Sequence, residues 1–120
     1  MIEFERVDFV SVPTRDERRA RAFYHDTLGL PLDSRNAAEV AAGNLTLAFW
    51  NPEADGLEFH PSPGGIALRV ADVATARARL EDAGVEFLGE TVDTGVCHMA
   101  FFLDPDGNAL ILHRRYADYS

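Results

Sequence analysis

The sequence lacks most of the features that mark secreted and membrane proteins. It contains one cysteine, Cys97, which excludes an internal disulfide and any metal site built from several cysteines. No run of residues approaches the roughly 18 consecutive apolar residues of a membrane-spanning helix. Residues 1–5 lack the basic and apolar regions of a secretory signal. We therefore expect a cytoplasmic protein that does not enter a membrane.

Basic residues are also scarce. The chain has 11 of them, against 20 aspartates and glutamates, so its formal net charge is −9. That charge would repel a polyanion such as nucleic acid and attract a cationic partner. Nucleic-acid binding is therefore not expected.

What remains is the composition of an ordinary folded domain. The chain has 120 residues, of which 47% are hydrophobic and 26% charged. A chain of this length can bury a core without disulfides or metals. We expect one domain spanning residues 1–120.

The strongest local signal is a hairpin near the C-terminus. Two apolar runs, residues 100–103 and 109–113, flank the turn sequence Asp104-Pro105-Asp106-Gly107-Asn108. Proline presets a turn dihedral, and Gly107 can adopt a left-handed conformation without steric cost. A fainter version of the second arm occurs at residues 43–49, again after a Gly-Asn pair. The similarity suggests that the chain contains an internal repeat, two copies of one structural unit.

The other elements repeat in the same order. In the first half, the pattern predicts a strand over 4–12, a helix begun by Asp16 and ended by Gly29, and strands over 31–35, 39–42 and 45–50. In the second half it predicts a strand over 65–70, a helix begun by Asp72 and ended by Gly84, and strands over 85–88 or beyond, 97–103 and 109–113, with residues 90–95 as a loop. Each half is thus βαβββ. We predict an α+β domain of two modules, about 1–60 and 64–120, joined by a stiff connector at 60–64.

These segments resemble the vicinal oxygen chelate superfamily, which includes glyoxalase I, extradiol dioxygenases, methylmalonyl-CoA epimerase, fosfomycin resistance enzymes and bleomycin resistance proteins. The resemblance is carried by residues 7–10, 21–24, 28–30, 65–70 and 104–108, in this order and doubled layout. It implies two modules whose mixed sheets curl around a central cup, with the helices outside. It also implies that open strand edges are covered by pairing modules within or between chains, so we expect a homodimer.

Metal enzymes of this superfamily place ligands on the first and last strand of each module. By position, those sites fall on Phe9 and Gly65, and on Leu47 and Ile111, the latter two each following a turn glycine by the same interval. None of these side chains carries a nitrogen, oxygen or thiolate donor. The resemblance therefore implies a member without a metal or other cofactor.

An enzyme remains the alternative. His98 and His113, with Cys97 and Asp104, could form a displaced metal site, although no pair has a recognised metal-motif spacing. Either histidine could instead act as a general base without a metal. In both cases the resemblance implies a lyase, isomerase or dioxygenase.

The cup-facing side chains are predicted from strand alternation. The hairpin should place Met99 opposite His113 and Phe101 opposite Ile111, whereas a slip of one residue would substitute His98 and Ala100. The predicted ligand-binding residues are Phe9, Ser11, Leu47, Phe49, Arg69, Met99, Phe101, Ile111 and His113. This surface is mainly apolar and aromatic, as small-molecule pockets are, although the same residues would also suit an ordinary filled core.

Among the members of the superfamily, the bleomycin resistance branch fits this pattern best. The resemblance implies a metal-free protein that binds or sequesters an apolar or aromatic small molecule. It also implies that the protein has a role in antibiotic resistance. The acidic chain would favour a cationic ligand. A regulatory or partner-binding module is a third interpretation.

Overall fold

The computed structural model describes residues 1–33 and 35–118. The chain divides into two compact units, Met1–His60 and Pro61–Ser120, called module 1 and module 2 below.

Module 1 holds a three-stranded mixed sheet with one helix. Its elements are β1 (Val10–Pro13), α1 (Glu17–Ala22) continued by a π-helical turn (Phe23–Thr27), β2 (Glu39–Ala42), β3 (Leu45–Trp50) and a 3-10 helix (Pro52–Asp55). The strand order is β1-β3-β2, with β1 parallel and β2 antiparallel to β3.

The helix of module 1 begins and ends where the sequence indicated. The Asp16 carboxylate accepts the backbone N–H of Arg19, which satisfies one donor of the first turn. At the other end, Gly29 adopts a φ of 83°, a left-handed conformation that glycine reaches without strain. Between them, the N–H of Leu28 bonds to the carbonyl of Phe23, five residues back, which widens the last turn into a π-helix.

The helix covers one face of this sheet. The ring of Tyr24 is fully buried and lies 5.0 Å, centroid to centroid, from the ring of Phe49. Val12 is paired with Phe49 and is also buried. The core of module 1 therefore lies between β1, β3 and the helix, where apolar side chains are buried away from solvent.

Two predicted strands of module 1 are shorter in the structure. The first, predicted over 4–12, begins at Val10, because Leu45 is the first residue of β3 and the ladder has little further to run. Of the strand predicted over 31–35, the described residues form one bridge between Leu32 and Val40; Ser34 lies outside the described residues. Pro31 lacks an N–H donor, which limits this edge to a few bonds.

Module 2 forms a complete βαβββ unit. Its elements are β4 (Ile66–Arg69), α2 (Val73–Asp82), β5 (Phe87–Asp93), β6 (Cys97–Leu103) and β7 (Ala109–Arg115). The strand order is β4-β7-β6-β5, with β4 parallel to β7 and the other pairs antiparallel. Asp72 caps α2 by accepting the N–H of Thr75, as the sequence predicted.

The turn between β6 and β7 is held by buried polar groups. The Asp104 carboxylate accepts the backbone N–H groups of Asp106 and Asn108 and the side-chain amide of Asn108. Asn108 in turn accepts the N–H of Ser62 at 2.8 Å, which fastens the connector to the turn. Asp104 therefore has a structural role in the turn, as its position in the sequence suggested.

The strand β5 runs further than predicted. Residues 90–93 belong to this strand, and the loop expected over 90–95 is reduced to the turn at 94–96. The pairing with β6 shifts between Leu88 and Val92, which marks a β-bulge. Arg77 of α2 donates to the carbonyl of Gly89 and to the hydroxyl of Thr91, so the helix holds the bulge in place.

The architecture is α+β, with two mixed sheets and a helix in each module, as the sequence predicted. Across the described ranges, no helix combines the length and hydropathy needed to cross a bilayer.

Candidate ligand-binding site

The two faces of the module 2 sheet differ in what covers them. One face carries Ala100, Phe102, Leu110 and Leu112, all buried, and packs beneath α2. Because side chains alternate along a strand, their neighbours point to the opposite face. We call that surface the open face; its paired positions are Ala67, Arg69, Leu88, Val92, Cys97, Met99, Phe101, Leu103, Ala109, Ile111, His113 and Arg115.

The predicted register of this face is confirmed. Met99 pairs with His113, and Phe101 pairs with Ile111. Arg69 pairs with His113 from the other side. Five of the predicted ligand-binding residues therefore lie side by side on three adjacent strands, although whether they bind a ligand stays a prediction.

The open face is apolar and partly accessible. The side chains of Met99, Phe101, Ile111 and His113 are half-buried, and Arg69 is exposed. Leu88 and Val92, which the sequence did not single out, extend the apolar surface along β5 and are 52% and 40% exposed. Such a surface can hold an apolar ring while leaving polar groups to orient it.

The predicted site residues of module 1 do not share one face. Ser11 pairs with Ala48 and is exposed, whereas Leu47 and Phe49 are 0% and 4% exposed and belong to the helix-covered core. Phe9, 55% exposed, precedes β1. The assignment of Leu47 and Phe49 to the same face as Ser11 was therefore wrong.

The error comes from counting strand positions from a turn glycine. Module 1 turns at residues 43–44, whereas module 2 turns at 104–108. Loops of different length deliver the following strand in different registers, and a shift of one residue moves every side chain to the other face. Position 47 is thus not the equivalent of position 111.

The residues at the superfamily's metal positions do not fit a metal ion. Gly65 has a φ of 77°, and a Cβ atom added there would lie 3.1 Å from Cδ1 of Ile111. A ligating side chain at position 65 would therefore be strained and crowded. The last strand of module 1 offers Thr46 and Ala48 on the face of Ser11, and neither is a usual transition-metal ligand. Within residues 1–33 and 35–118, no three His, Cys, Asp or Glu side chains are grouped so as to hold a metal.

A second cluster of polar groups lies on the helix side of module 2. His98 is 3.3 Å from the Asp93 carboxylate, whose other oxygen accepts the Tyr116 hydroxyl at 2.7 Å. The rings of His98 and Tyr116 are 4.8 Å apart. These groups border a cavity of about 350 Å³, lined by Ala71, Asp72, Val73, Ala74, Thr91, His98, Arg114 and Tyr116.

Hydrogen bonding shifts the titration of this cluster. The N–H of Gly95, the Tyr116 hydroxyl and then His98 hold the pKa of Asp93 below its ordinary value of 3.8. The same bond raises the pKa of Tyr116 above its ordinary value of 10.0, because the Asp93 carboxylate favours the protonated phenol. The sequence did not indicate this cluster, because residues 90–95 were interpreted as a loop. In the structure they end in a short turn at 94–96, which places Asp93 opposite His98.

Each module is a mixed sheet with a helix on one face, so the chain is an α+β protein built from a repeated βαβββ-type unit. The family model for the Glyoxalase/Bleomycin resistance protein/Dioxygenase superfamily matches residues 6–112. The chain belongs to this superfamily.

Solved structures share the fold. TnmS3, an antibiotic binding protein from Streptomyces sp. CB03234, is 28% identical, with a TM-score of 0.77 over 96% of this chain and 99% of that chain. A superfamily member from Sphaerobacter thermophilus DSM 20745 is 24% identical, with a TM-score of 0.76 over 92% of this chain and 97% of that chain. A glyoxalase/bleomycin resistance protein/dioxygenase from Nocardioides is 20% identical, with a TM-score of 0.72 over 100% and 93%. No curated protein matches the chain.

Proposed function

We propose that this chain binds and sequesters an apolar, aromatic small molecule, and that the open face of module 2 supplies most of the contacts. The observation that carries the proposal is the open face itself, where Met99, Phe101 and Ile111 lie together and remain partly accessible. Phe9 and Ser11 of module 1 stay predicted contacts. The likeness to an antibiotic binding protein supports a binding role, and an antibiotic is a suitable first ligand class to test.

The energetics of the face are adequate for binding. Removing apolar surface from water gains about 25 cal/mol per Å², so burying roughly 200 Å² against these side chains would offer about 5 kcal/mol. Association costs reduce that figure. Polar groups must therefore supply part of the affinity and most of the specificity.

The test is a thermal-shift screen of aromatic natural products and antibiotics. A ligand that binds the folded state raises the melting temperature, and the rise should be smaller in Phe101→Ala. Leu57→Ala is the matched control, since Leu57 is 55% exposed and lies in module 1 outside the predicted site. If no compound stabilises the protein, or if hits stabilise Phe101→Ala as much as the wild type, the open face is not the site.

We propose further that binding needs no resident metal. The support is the lack of donors at Phe9, Gly65 and Ile111 and the crowding at position 65. Elemental analysis of purified protein should find no transition metal at one equivalent per chain. One equivalent that disappears in His113→Ala would instead favour the lyase, isomerase or dioxygenase alternative.

We also propose that the protein is a cytoplasmic homodimer. A single reduced thiol, buried at Cys97, fits a reducing compartment. Cell fractionation tests the location, and recovery of the protein outside the cytoplasm would contradict it. The dimer is tested at the end of the Discussion.

A further inference from the structure

The charge on the open face differs from that of the whole chain. The sequence has 20 acidic residues and 11 basic ones. Among the paired positions that share the open face, all of them described residues, the ionisable side chains are Arg69, His113, Arg115 and the thiol of Cys97. Glu90 alternates with Leu88 and Val92 but lies in the unpaired bulge of β5, at the opposite edge of the sheet from Arg69 on β4. A ligand held at the β4–β7 side of this face therefore meets basic groups in an otherwise acidic protein.

Two of these basic groups have no partner among residues 1–33 and 35–118. Arg69 and His113 pair directly across β4 and β7, and neither side chain makes a hydrogen bond or ion pair with any described residue. Arg115 differs, because its guanidinium donates to the carbonyls of Ala117 and Asp118. Arg69 and His113 thus leave several donors facing the apolar surface, and an acceptor placed between them would satisfy both.

The helix side of the same sheet provides the contrast. There His98, one strand away, has the Asp93 carboxylate at 3.3 Å. His113, on the open face, has no such carboxylate partner in the part of the chain that the structure describes. The sheet therefore satisfies one histidine internally and leaves the other available to a ligand.

From this arrangement we infer that the ligand is an aromatic acid, ionised at neutral pH. The inference rests on the proposed function and names the ligand class of the same site. The ring lies against Met99, Phe101 and Ile111, and the ionised oxygen accepts from Arg69 and His113. Arginine suits this task because its planar fork matches a carboxylate and also stacks on an aromatic ring.

The net charge does not reverse this preference. At physiological ionic strength, charges on the surface are screened beyond about 8 Å. Contact with Arg69 acts within that distance. The expectation of a cationic ligand, which came from the net charge of −9, is therefore replaced by an anionic one.

Three probes of one shape test the inference: 2-naphthoate, the neutral 2-naphthamide and the cationic 2-naphthylmethylamine. Their dissociation constants are measured by calorimetry or ligand fluorescence. The acid should bind at least about tenfold more tightly than the amide, and the amine most weakly. In Arg69→Gln, the acid should fall to within about twofold of the amide while the amide is unchanged.

Arg114→Gln is the matched control. Arg114 follows His113 but pairs with His98 on the helix side. The substitution therefore removes the same charge as Arg69→Gln, but from the other face of the sheet. It should leave the preference for the acid intact. Thermal unfolding of both variants checks their folding.

The outcomes separate the two claims. If the amide binds and the acid is no tighter, or if the amine is tightest, the inference is overturned while the proposed function stands. An equal loss in Arg69→Gln and Arg114→Gln would show an effect of net charge and would also overturn it. If none of the probes binds while the thermal-shift screen finds other aromatic ligands, the inference alone is overturned. If the screen finds no ligand either, the proposed function fails and the inference fails with it.

Discussion

Phe49 and Phe101 show why residue type alone does not tell which face of a sheet a side chain occupies. Both are aromatic residues at alternating positions of a strand, so composition treats them alike. The register separates them: Phe49 packs on Tyr24 beneath the helix, whereas Phe101 lies on the open face beside Ile111. Strand alternation predicted the pairing of Phe101 with Ile111 correctly, because the turn at 104–108 fixes the register of the hairpin. Alternation failed for Phe49 because its position was counted from the turn at 43–44 as if that turn had the length of the turn at 104–108.

This difference predicts opposite consequences of substitution. Phe49→Ala empties a fully packed site and should lower the free energy of unfolding by about 3–5 kcal/mol, with a smaller loss in Phe49→Leu. Phe101→Ala removes a half-buried side chain and should cost less stability. Urea unfolding of the three variants gives the comparison. A stable Phe49→Ala variant that merely loses ligand affinity would return Phe49 to the binding site.

At the level of elements, local chemistry predicted the starts of helices and the positions of turns. Asp16 and Asp72 cap helices because a carboxylate can accept an N–H of the first turn, whatever the rest of the fold does. The π-helical turn at Phe23–Thr27 and the bulge in β5 could not be predicted in this way. The bulge depends on contacts made at a distance, the hydrogen bonds from Arg77 to Gly89 and Thr91. The π-helical turn is closed by the bond from Leu28 to Phe23, and the spacing of apolar residues does not distinguish it from an α-helical turn.

The Asp93 cluster joins the end of β5 to the start of β6 and to the segment after β7, and it should make stability depend on pH. The pKa of Asp93 is lowered on folding, so its contribution is complete above about pH 5 and is lost as the pH falls through the folded-state value, below 3.8. The pKa of Tyr116 is raised, so its contribution is present below its ordinary value of 10.0 and is lost at higher pH. Melting temperature against pH should therefore fall less steeply on the acid side in Asp93→Asn, and on the alkaline side in Tyr116→Phe.

Asp82→Asn is the control for this measurement. It removes the same charge from an exposed position at the end of α2, and its acid profile should follow the wild type. Identical acid limbs in Asp93→Asn and the wild type would mean that the carboxylate contributes nothing to the folded state at this site.

For the whole molecule, the sequence correctly predicted two repeats of one unit. It did not predict that the two repeats differ in their strands. The predicted unit appears in full in module 2, where β4-β7-β6-β5 completes the sheet. In module 1, the described residues keep the same order with a shorter first strand and with Leu32 as a single bridge at the edge. Periodicity identifies which segments can form strands. The length of a strand also depends on how many residues of the partner strand are available to pair with it.

The shortened first strand leaves apolar residues uncovered, and this leads to the dimer prediction. Ile2, Phe4 and Phe9 are 79%, 87% and 55% exposed, and β5 is an open edge of its sheet. Exposed apolar side chains and open edges favour association with another chain. Sedimentation at micromolar concentration should therefore give a species of about twice 13.2 kDa.

The N-terminal residues also provide the variant that locates the contact. If a second copy covers them, the double substitution Ile2→Ser and Phe4→Ser removes apolar contact area and shifts the equilibrium towards the monomer. Leu57→Ser, at a comparably exposed apolar position after the 3-10 helix, should leave the dimer intact. A wild-type protein that sediments as a clean 13.2 kDa species would contradict the dimer. A dimer unaffected by the double substitution would place the interface on the open strand edges, because main-chain pairing there does not depend on those side chains.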